Sequence, residues 1–172
     1  MTISANNNEA QKTFSQIYTV IAQYLSQPKN VKKYISRKLI NLDAFIFTIE
    51  QLIGRLTVIR ILEDTGQLPQ PVLKQILEKQ GVTDNGEEMW DDLLDLFLEI
   101  AQSSEQDNND GVWSLSGVDE LHVDNKTTKQ CLSLFYLLDF SAGYVIVPRL
   151  EAWISEMSKA FKGGLENSFN KK

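Results

Sequence analysis

Residues 41–66, NLDAFIFTIEQLIGRLTVIRILEDTG, carry the strongest pattern in the chain and decide its fold. Apolar side chains recur there at spacings of three and four residues and form one stripe on a helix: Phe45, Ile49, Leu52, Leu56 and Ile59. Asp43 is placed to cap the first turn, and Gly66 stands where a helix end favours a left-handed residue. More apolar residues lie outside the stripe, so we expect a central helix over 43–65 with neighbours on several sides.

Shorter helical patterns lie on both sides of this central helix. Apolar residues at helical spacing, bounded by proline, glycine and polar residues, predict further helices over about 9–26, 30–39, 71–80, 87–102, 124–138 and 148–162. The predicted fold class is all-α, a single irregular helical bundle of about six to seven helices around the helix at 43–65. We expect at most a minor, short extended pair near 112–123 and 144–147.

The two ends of the chain lack the helical pattern. We predict residues 1–8 as a disordered lead-in, 9–162 as the helical domain and 163–172 as a flexible tail, because Gly163-Gly164 is a stop signal. The apolar runs are far shorter than the roughly 18 residues of a membrane span, and the opening residues lack a secretory pattern. A single cysteine fits a reducing compartment. We expect a cytoplasmic protein without membrane contact, and its oligomeric state stays open.

Charge is distributed unevenly along the 172 residues, which carry a net charge of −6. Residues 1–40 contain six Lys/Arg and one acid, whereas residues 84–124 contain thirteen Asp/Glu and no Lys or Arg. The acidic block repels phosphate and argues against a nucleic-acid surface along the whole chain. A local contact with nucleic acid or a partner stays open for the basic residues Lys29, Lys32, Lys33, Arg37 and Lys38.

Residue types suited to catalysis or metal binding are sparse. The single histidine, His122, excludes a histidine pair, and no phosphate-binding or dinucleotide-binding glycine motif is present. Asp91, Asp92 and Asp95 lack a surrounding ring of loop oxygens, so we interpret them as a solvated helix face. Cys131 lies in an apolar helix and is interpreted as a core thiol. We expect no enzymatic activity, no metal and no cofactor.

The polar end of the central helix contains Arg55, Arg60, Glu63 and Asp64. Glu63 falls on the apolar face of that helix, where an unpaired carboxylate is costly. Arg60 lies three residues before Glu63 and four before Asp64, within pairing distance of both. Two interpretations follow: a structural ion-pair cluster, or an arginine that reaches out to phosphate or to a partner domain.

The same segment resembles a known family. LIGRLTVIRILEDTG at 52–66 resembles the arginine-bearing helix, ending in Leu-Glu-Asp-x-Gly, of type IIG restriction–modification enzymes and related adenine-specific methyltransferases. Similar segments follow in the family's order: DLLDLF at 92–97, NDGVW at 109–113, VDELHV at 118–123 and LFYLLDFS at 134–141. Residues 147–157 occupy the place of an Ile-Pro turn and helix, but LEAWI replaces the family's Gly-x-Ile-Tyr-Glu core.

The resemblance covers about residues 40–160 and implies a helical connector between a nuclease and a methyltransferase. The sequence contains no Asn-Pro-Pro-Tyr motif, no glycine-rich loop for S-adenosylmethionine and no Asp…Glu-x-Lys nuclease core. No catalytic residue is therefore carried over. The resemblance implies a non-catalytic helical domain of a DNA restriction–modification-type system, either a stand-alone subunit or a gene remnant. It would act as a scaffold that binds a methyltransferase or other protein subunit, with weak DNA contact.

The acidic block at 84–124 supports an alternative function. A helical protein–protein interaction module, unrelated to DNA modification, would use this block to bind a basic partner.

Overall fold

Seven helices and two very short strands make up the described part of the chain. The structure, a computed structural model, describes residues 3–5, 7–36, 42–103, 113 and 117–170. The elements in chain order are β1 (Ile3–Ser4), α1 (Asn8–Leu25), α2 (Pro28–Ser36), α3 (Leu42–Asp64), α4 (Val72–Leu77), α5 (Glu88–Ser103), α6 (Asn125–Phe135), β2 (Leu138–Asp139) and α7 (Val147–Asn170). Two 3₁₀ turns cover Gly117–Glu120 and Gly143–Ile146. The predicted all-α bundle is confirmed.

The central helix of the bundle is α3, close to the predicted range of 43–65. Buried residues lie all around it, because α1, α4, α6, α7 and both 3₁₀ turns pack against it. Two buried threonines would be costly on such a helix without partners. Thr48 and Thr57 donate their hydroxyl protons to the backbone carbonyls of Ala44 and Ile53, four residues earlier. The helix is thereby buried on most sides without unsatisfied hydroxyls at these two positions.

An aromatic cluster joins the N-terminal and C-terminal parts of the core. Phe14 of α1 is buried, and its ring centroid lies 6.3 Å from that of Phe135, 6.1 Å from that of Phe140 and 5.8 Å from that of Trp153. The first two contacts are edge-to-face, a favoured geometry for aromatic pairs. Packing of α1 against α6 and α7 therefore centres on Phe14.

Gly66 ends α3 as predicted. Its φ is +77°, its N–H donates to the Glu63 carbonyl at 3.2 Å, and the Gln67 N–H donates to the Leu62 carbonyl at 2.9 Å. This pair of bonds is the Schellman arrangement, which requires a left-handed residue after the helix.

The N-terminal segment departs from the prediction. Residues 1–8 were expected to be a disordered lead-in, but Ile3–Ser4 pairs in parallel with Leu138–Asp139. The Ile3 N–H donates to the Leu137 carbonyl at 2.8 Å, and the Ala5 N–H donates to the Asp139 carbonyl at 2.9 Å. Ala5 is fully buried. Two residues per strand are too few to show the alternation that predicts a strand, so the sequence contains no signal for this pair.

Near 112–123 and 144–147, where at most a short extended pair was expected, the described residues form no strand. Gly117–Glu120 and Gly143–Ile146 form 3₁₀ turns instead, and residues 112 and 114–116 lie outside the described part. In the second turn, Gly143 has φ +73°, and the β-prone side chain of Val145 is 72% exposed. A strand is favoured only where such side chains are covered by neighbours.

The last helix continues past its predicted end. Gly163-Gly164 was expected to stop it and to begin a flexible tail at 163–172, but α7 runs to Asn170, and residues 171–172 lie outside the described part. A glycine ends a helix by adopting positive φ, and in the described residues only Gly66, Gly81 and Gly143 do so.

Several other helix ends differ from prediction by a few residues. α2 begins at Pro28, two residues before its predicted start, and residues 37–41, between α2 and α3, lie outside the described residues. α6 ends at Phe135 rather than near residue 138, because the segment that follows pairs with β1. α4 is shorter than the expected 71–80. Within the described ranges, no helix is both long and apolar enough to cross a bilayer.

Two glycine substitutions are expected to change stability in opposite directions. Gly66→Ala places a Cβ on a left-handed residue and should lower the free energy of unfolding by about 1–2 kcal/mol, although no atom lies within 4 Å of that Cβ. Gly163→Ala, at an uncrowded helical position, should raise it by about 1 kcal/mol. Urea unfolding followed by circular dichroism measures both. A loss of stability in Gly163→Ala would contradict the continuous helix.

Candidate functional site

Arg60, near the C-terminal end of α3, is buried with all five of its N–H groups bonded. Its Nη1 lies 3.1 Å from Glu63 Oε1 and 2.7 Å from Asp64 Oδ1, and its Nη2 lies 3.0 Å from Asp64 Oδ2. The two remaining N–H groups donate to backbone carbonyls, from Nε to Phe135 at 3.3 Å and from Nη2 to Leu138 at 2.7 Å. We call Arg60, Glu63, Asp64 and these acceptors the Arg60 cluster.

The carboxylates of the Arg60 cluster have further donors. Glu63 accepts from the Tyr136 hydroxyl at 2.7 Å and from the backbone N–H of Leu73, the second residue of α4, at 2.9 Å. Asp64 accepts from the backbone N–H of Phe140 at 2.8 Å. Burial, followed by donation to the Glu63 carboxylate, raises the pKa of Tyr136 well above its usual value. The cluster therefore connects α3 by hydrogen bonds to α4 and to the segment after α6.

No N–H group of Arg60 remains to bind a phosphate or a partner domain. The guanidinium carbon also lies 4.3 Å from the ring centroid of Tyr136 and 5.2 Å from that of Phe140. These contacts match the structural interpretation of the predicted ion-pair cluster, and the two predicted partners of Arg60 are both bonded to it.

Arg55 lies in a second cluster, in which its ion-pair partner is Asp119 rather than Glu63 or Asp64. It is buried, and its Nη1 lies 3.2 Å from Asp119 Oδ1 in the first 3₁₀ turn. Its guanidinium carbon lies 5.3 Å from the ring centroid of Phe97 and 5.7 Å from that of Trp113. The four residues predicted as one cluster thus belong to two clusters, with Arg55 in one and the other three residues in the Arg60 cluster. Asp119 was missed because it lies 64 residues from Arg55, beyond any periodic signal.

The predicted basic contact residues are described only in part. Lys29 and Lys32 are exposed on α2. Lys33 belongs to the same helix, whereas Arg37 and Lys38 lie outside the described residues. Binding of nucleic acid or a partner by these residues stays a prediction.

Asn125, at the start of α6, positions the acidic helix α5, a role that the sequence did not indicate. Its Oδ1 accepts from the Met89 N–H at 2.9 Å, and its Nδ2 donates to the Thr83 carbonyl at 2.7 Å and to Glu88 Oε1 at 3.1 Å. Asp124 caps α6 by accepting from the Thr127 N–H at 2.8 Å. The first turn of α5 is thereby bonded to α6.

A groove runs between α4 and α5, with a volume of about 350 Å³. Its apolar lining residues, here called the floor, are Val72, Ile76 and Leu96. Its acidic lining residues on α5, here called the rim, are Asp92, Asp95 and Glu99, and Gln75 also lines it. We call it the acidic groove. Lys79 of the opposite wall pairs with Asp92 at 3.0 Å. In the described part of the chain, no three His, Cys, Asp or Glu residues are grouped closely enough to hold a metal ion.

Two candidate residues remain: His122, which has a local partner, and Cys131, which is buried. His122 Nδ1 lies 2.9 Å from Glu87 Oε1, on the half-exposed surface. Cys131 is buried beside a cavity of about 20 Å³, which is the size of a single water molecule. Burial raises the pKa of the Cys131 thiol from 9.0 to about 12, which suppresses the reactive thiolate.

Comparison of the chain with protein-family models, with curated proteins and with solved structures finds no match.

Removal of the Cys131 thiol is expected to change how stability depends on pH. An unfolded chain releases this proton near pH 9, whereas the folded chain holds it until about pH 12. The contribution to stability is complete below pH 9 and is lost as pH rises towards 12. Between these values the free energy of unfolding should fall more steeply in the wild type than in Cys131→Ala, by up to about 1.4 kcal/mol per pH unit.

Urea unfolding of both proteins at several pH values measures the two slopes. Cys131→Ala also leaves a cavity, but that cost shifts stability by the same amount at every pH and leaves the slope unchanged. Parallel curves for the two proteins between pH 9 and pH 11 would contradict the raised pKa.

Proposed function

We propose that this chain is a non-catalytic helical domain of a DNA restriction–modification-type system, and that it acts as a scaffold for a methyltransferase or other protein subunit. One observation supports this proposal above the others. Five of the segments that resemble the type IIG family, at 52–66, 92–97, 109–113, 118–123 and 134–141, meet at the two buried arginines of α3.

The Arg60 cluster joins the segments at 52–66 and 134–141. Arg60, Glu63 and Asp64 belong to the stretch at 52–66, and Tyr136, Leu138 and Phe140 belong to the stretch at 134–141. Hydrogen bonds and ring contacts connect the two stretches directly. Their contacts span more than 70 residues of sequence.

Arg55 joins the segments that lie between them. Phe97 ends the stretch at 92–97, Trp113 ends the stretch at 109–113, and Asp119 lies in the stretch at 118–123. All three contact the Arg55 guanidinium. Segments that resembled the family only by chance would not be expected to contact one another. These contacts therefore support the resemblance.

The role assigned to these residues is to hold the scaffold together. The Arg60 guanidinium and the Glu63 and Asp64 carboxylates bond to one another, to the start of α4 and to the segment after α6. The Arg55 guanidinium pairs with Asp119 of the first 3₁₀ turn. Contact with a partner or DNA is assigned instead to the basic side of α2, where Lys29 and Lys32 are exposed.

Capture of a methyltransferase tests the proposal. The tagged full chain is purified from the cells that encode it, and the eluate is assayed for transfer of labelled methyl groups from S-adenosylmethionine to adenine in duplex DNA. We expect the wild-type eluate to carry this activity. In Lys29→Glu/Lys32→Glu, reversal of two charges on the contact surface should lower it by about tenfold.

The matched control is Lys126→Glu/Lys129→Glu, which makes the same charge change at exposed positions of α6. It should retain the wild-type activity. Binding of labelled duplex DNA to the three purified proteins at low salt then separates DNA contact from partner contact. A wild-type eluate without methyl transfer, from a chain that also fails to bind DNA, would contradict the proposal.

A further inference from the structure

The acidic groove has the shape and chemistry of a surface that receives a helix. In its apolar floor, Val72 and Leu96 are partly exposed and Ile76 is buried. The α4 wall has six residues, about 9 Å at the usual helical rise, so the groove fits roughly two turns of a docked helix. An apolar groove of this kind binds the apolar face of an amphipathic helix.

The α5 side of the acidic groove carries only negative charge. Residues 84–103 contain seven Asp/Glu and no Lys or Arg. Asp95 and Glu99 are exposed at the rim and form no ion pair within the described part of the chain. Among the described residues, Lys79 is the one cation that lines the groove, and it pairs with Asp92. The rim therefore favours a cationic occupant and repels nucleic acid.

We propose that the acidic groove binds a lysine- or arginine-bearing amphipathic helix of a partner protein. The apolar face of that helix covers Val72, Ile76 and Leu96, and its basic flank lies along Asp95 and Glu99. The apolar contact supplies affinity, whereas the carboxylates fix orientation and accelerate association. This binding does not depend on the proposed role in DNA modification, and it gives the acidic block a defined partner class.

A designed peptide tests the acidic groove directly. The probe is a fluorescein-labelled peptide of about 14 residues, four helical turns, with leucines at helical spacing on one face and lysines along one flank. Its control has the same composition in an order that destroys the amphipathic face. Fluorescence anisotropy measures the affinity of both peptides for the full chain at low salt.

Two protein variants complete the experiment. Asp95→Asn/Glu99→Gln removes two rim charges, whereas Glu151→Gln/Glu156→Gln removes two exposed charges from α7. We expect the amphipathic peptide to bind the wild type and the α7 variant equally, and to bind the groove variant about tenfold more weakly. We expect the reordered peptide to bind the wild type at least about fivefold more weakly.

Three results would overturn the proposal. Equal binding of the two peptides would show attraction by charge alone, and equal binding by the two variants would place the peptide elsewhere. Sedimentation that shows self-association lost in the groove variant, with no peptide binding, would assign the acidic groove to a second copy of this chain. Thermal unfolding of each variant verifies that it is folded before binding is measured.

Discussion

The burial of the Arg60 guanidinium is the constraint on which the rest of the structure depends. A buried charge is costly unless it is paired and every donor is satisfied. Arg60 is 3% exposed, so each of its N–H groups needs an acceptor from the protein. Two carboxylates of α3 supply part of this need, and the carbonyls of Phe135 and Leu138 supply the rest. The path of the chain after α6 is fixed by this requirement, and a well-packed apolar substitute would not impose it.

The consequences extend to parts of the molecule that do not contact Arg60. The Leu138 carbonyl is bonded to Arg60, and the strand to which it belongs pairs with Ile3–Ser4 and helps to bury Ala5. Glu63 accepts from the Leu73 N–H and so positions the start of α4. α4 is one wall of the acidic groove, and α5, which Asn125 holds in place, is the other. The proposed binding surface therefore depends on the polar side chains of Glu63 and Asn125.

Local patterns predict one part of this architecture and distant contacts determine the rest. The repeat of apolar residues over 43–65 predicts α3, and spacings of three and four residues predict the pairs of Arg60 with Glu63 and Asp64. Backbone carbonyls carry no residue signature, so the bonds to Phe135 and Leu138 are not visible in the sequence. Asp119 is one of thirteen acids in its block, with nothing to mark it as the partner of Arg55. Gly163-Gly164 has the composition of a stop signal, yet its backbone is helical.

Amide hydrogen exchange in Arg60→Lys tests the central claim most directly. Lysine keeps the charge but lacks the planar fork, so buried acceptors lose donors at a cost of about 2 kcal/mol or more. Because 1.4 kcal/mol is tenfold in an equilibrium, protection of the Phe140, Ile3 and Ala5 amides should fall roughly thirtyfold. Protection of the Ile17 amide in α1 should fall by less. Arg149→Lys, an exposed control, should leave protection unchanged. Unchanged protection of the Ile3, Ala5 and Phe140 amides in Arg60→Lys would contradict the account.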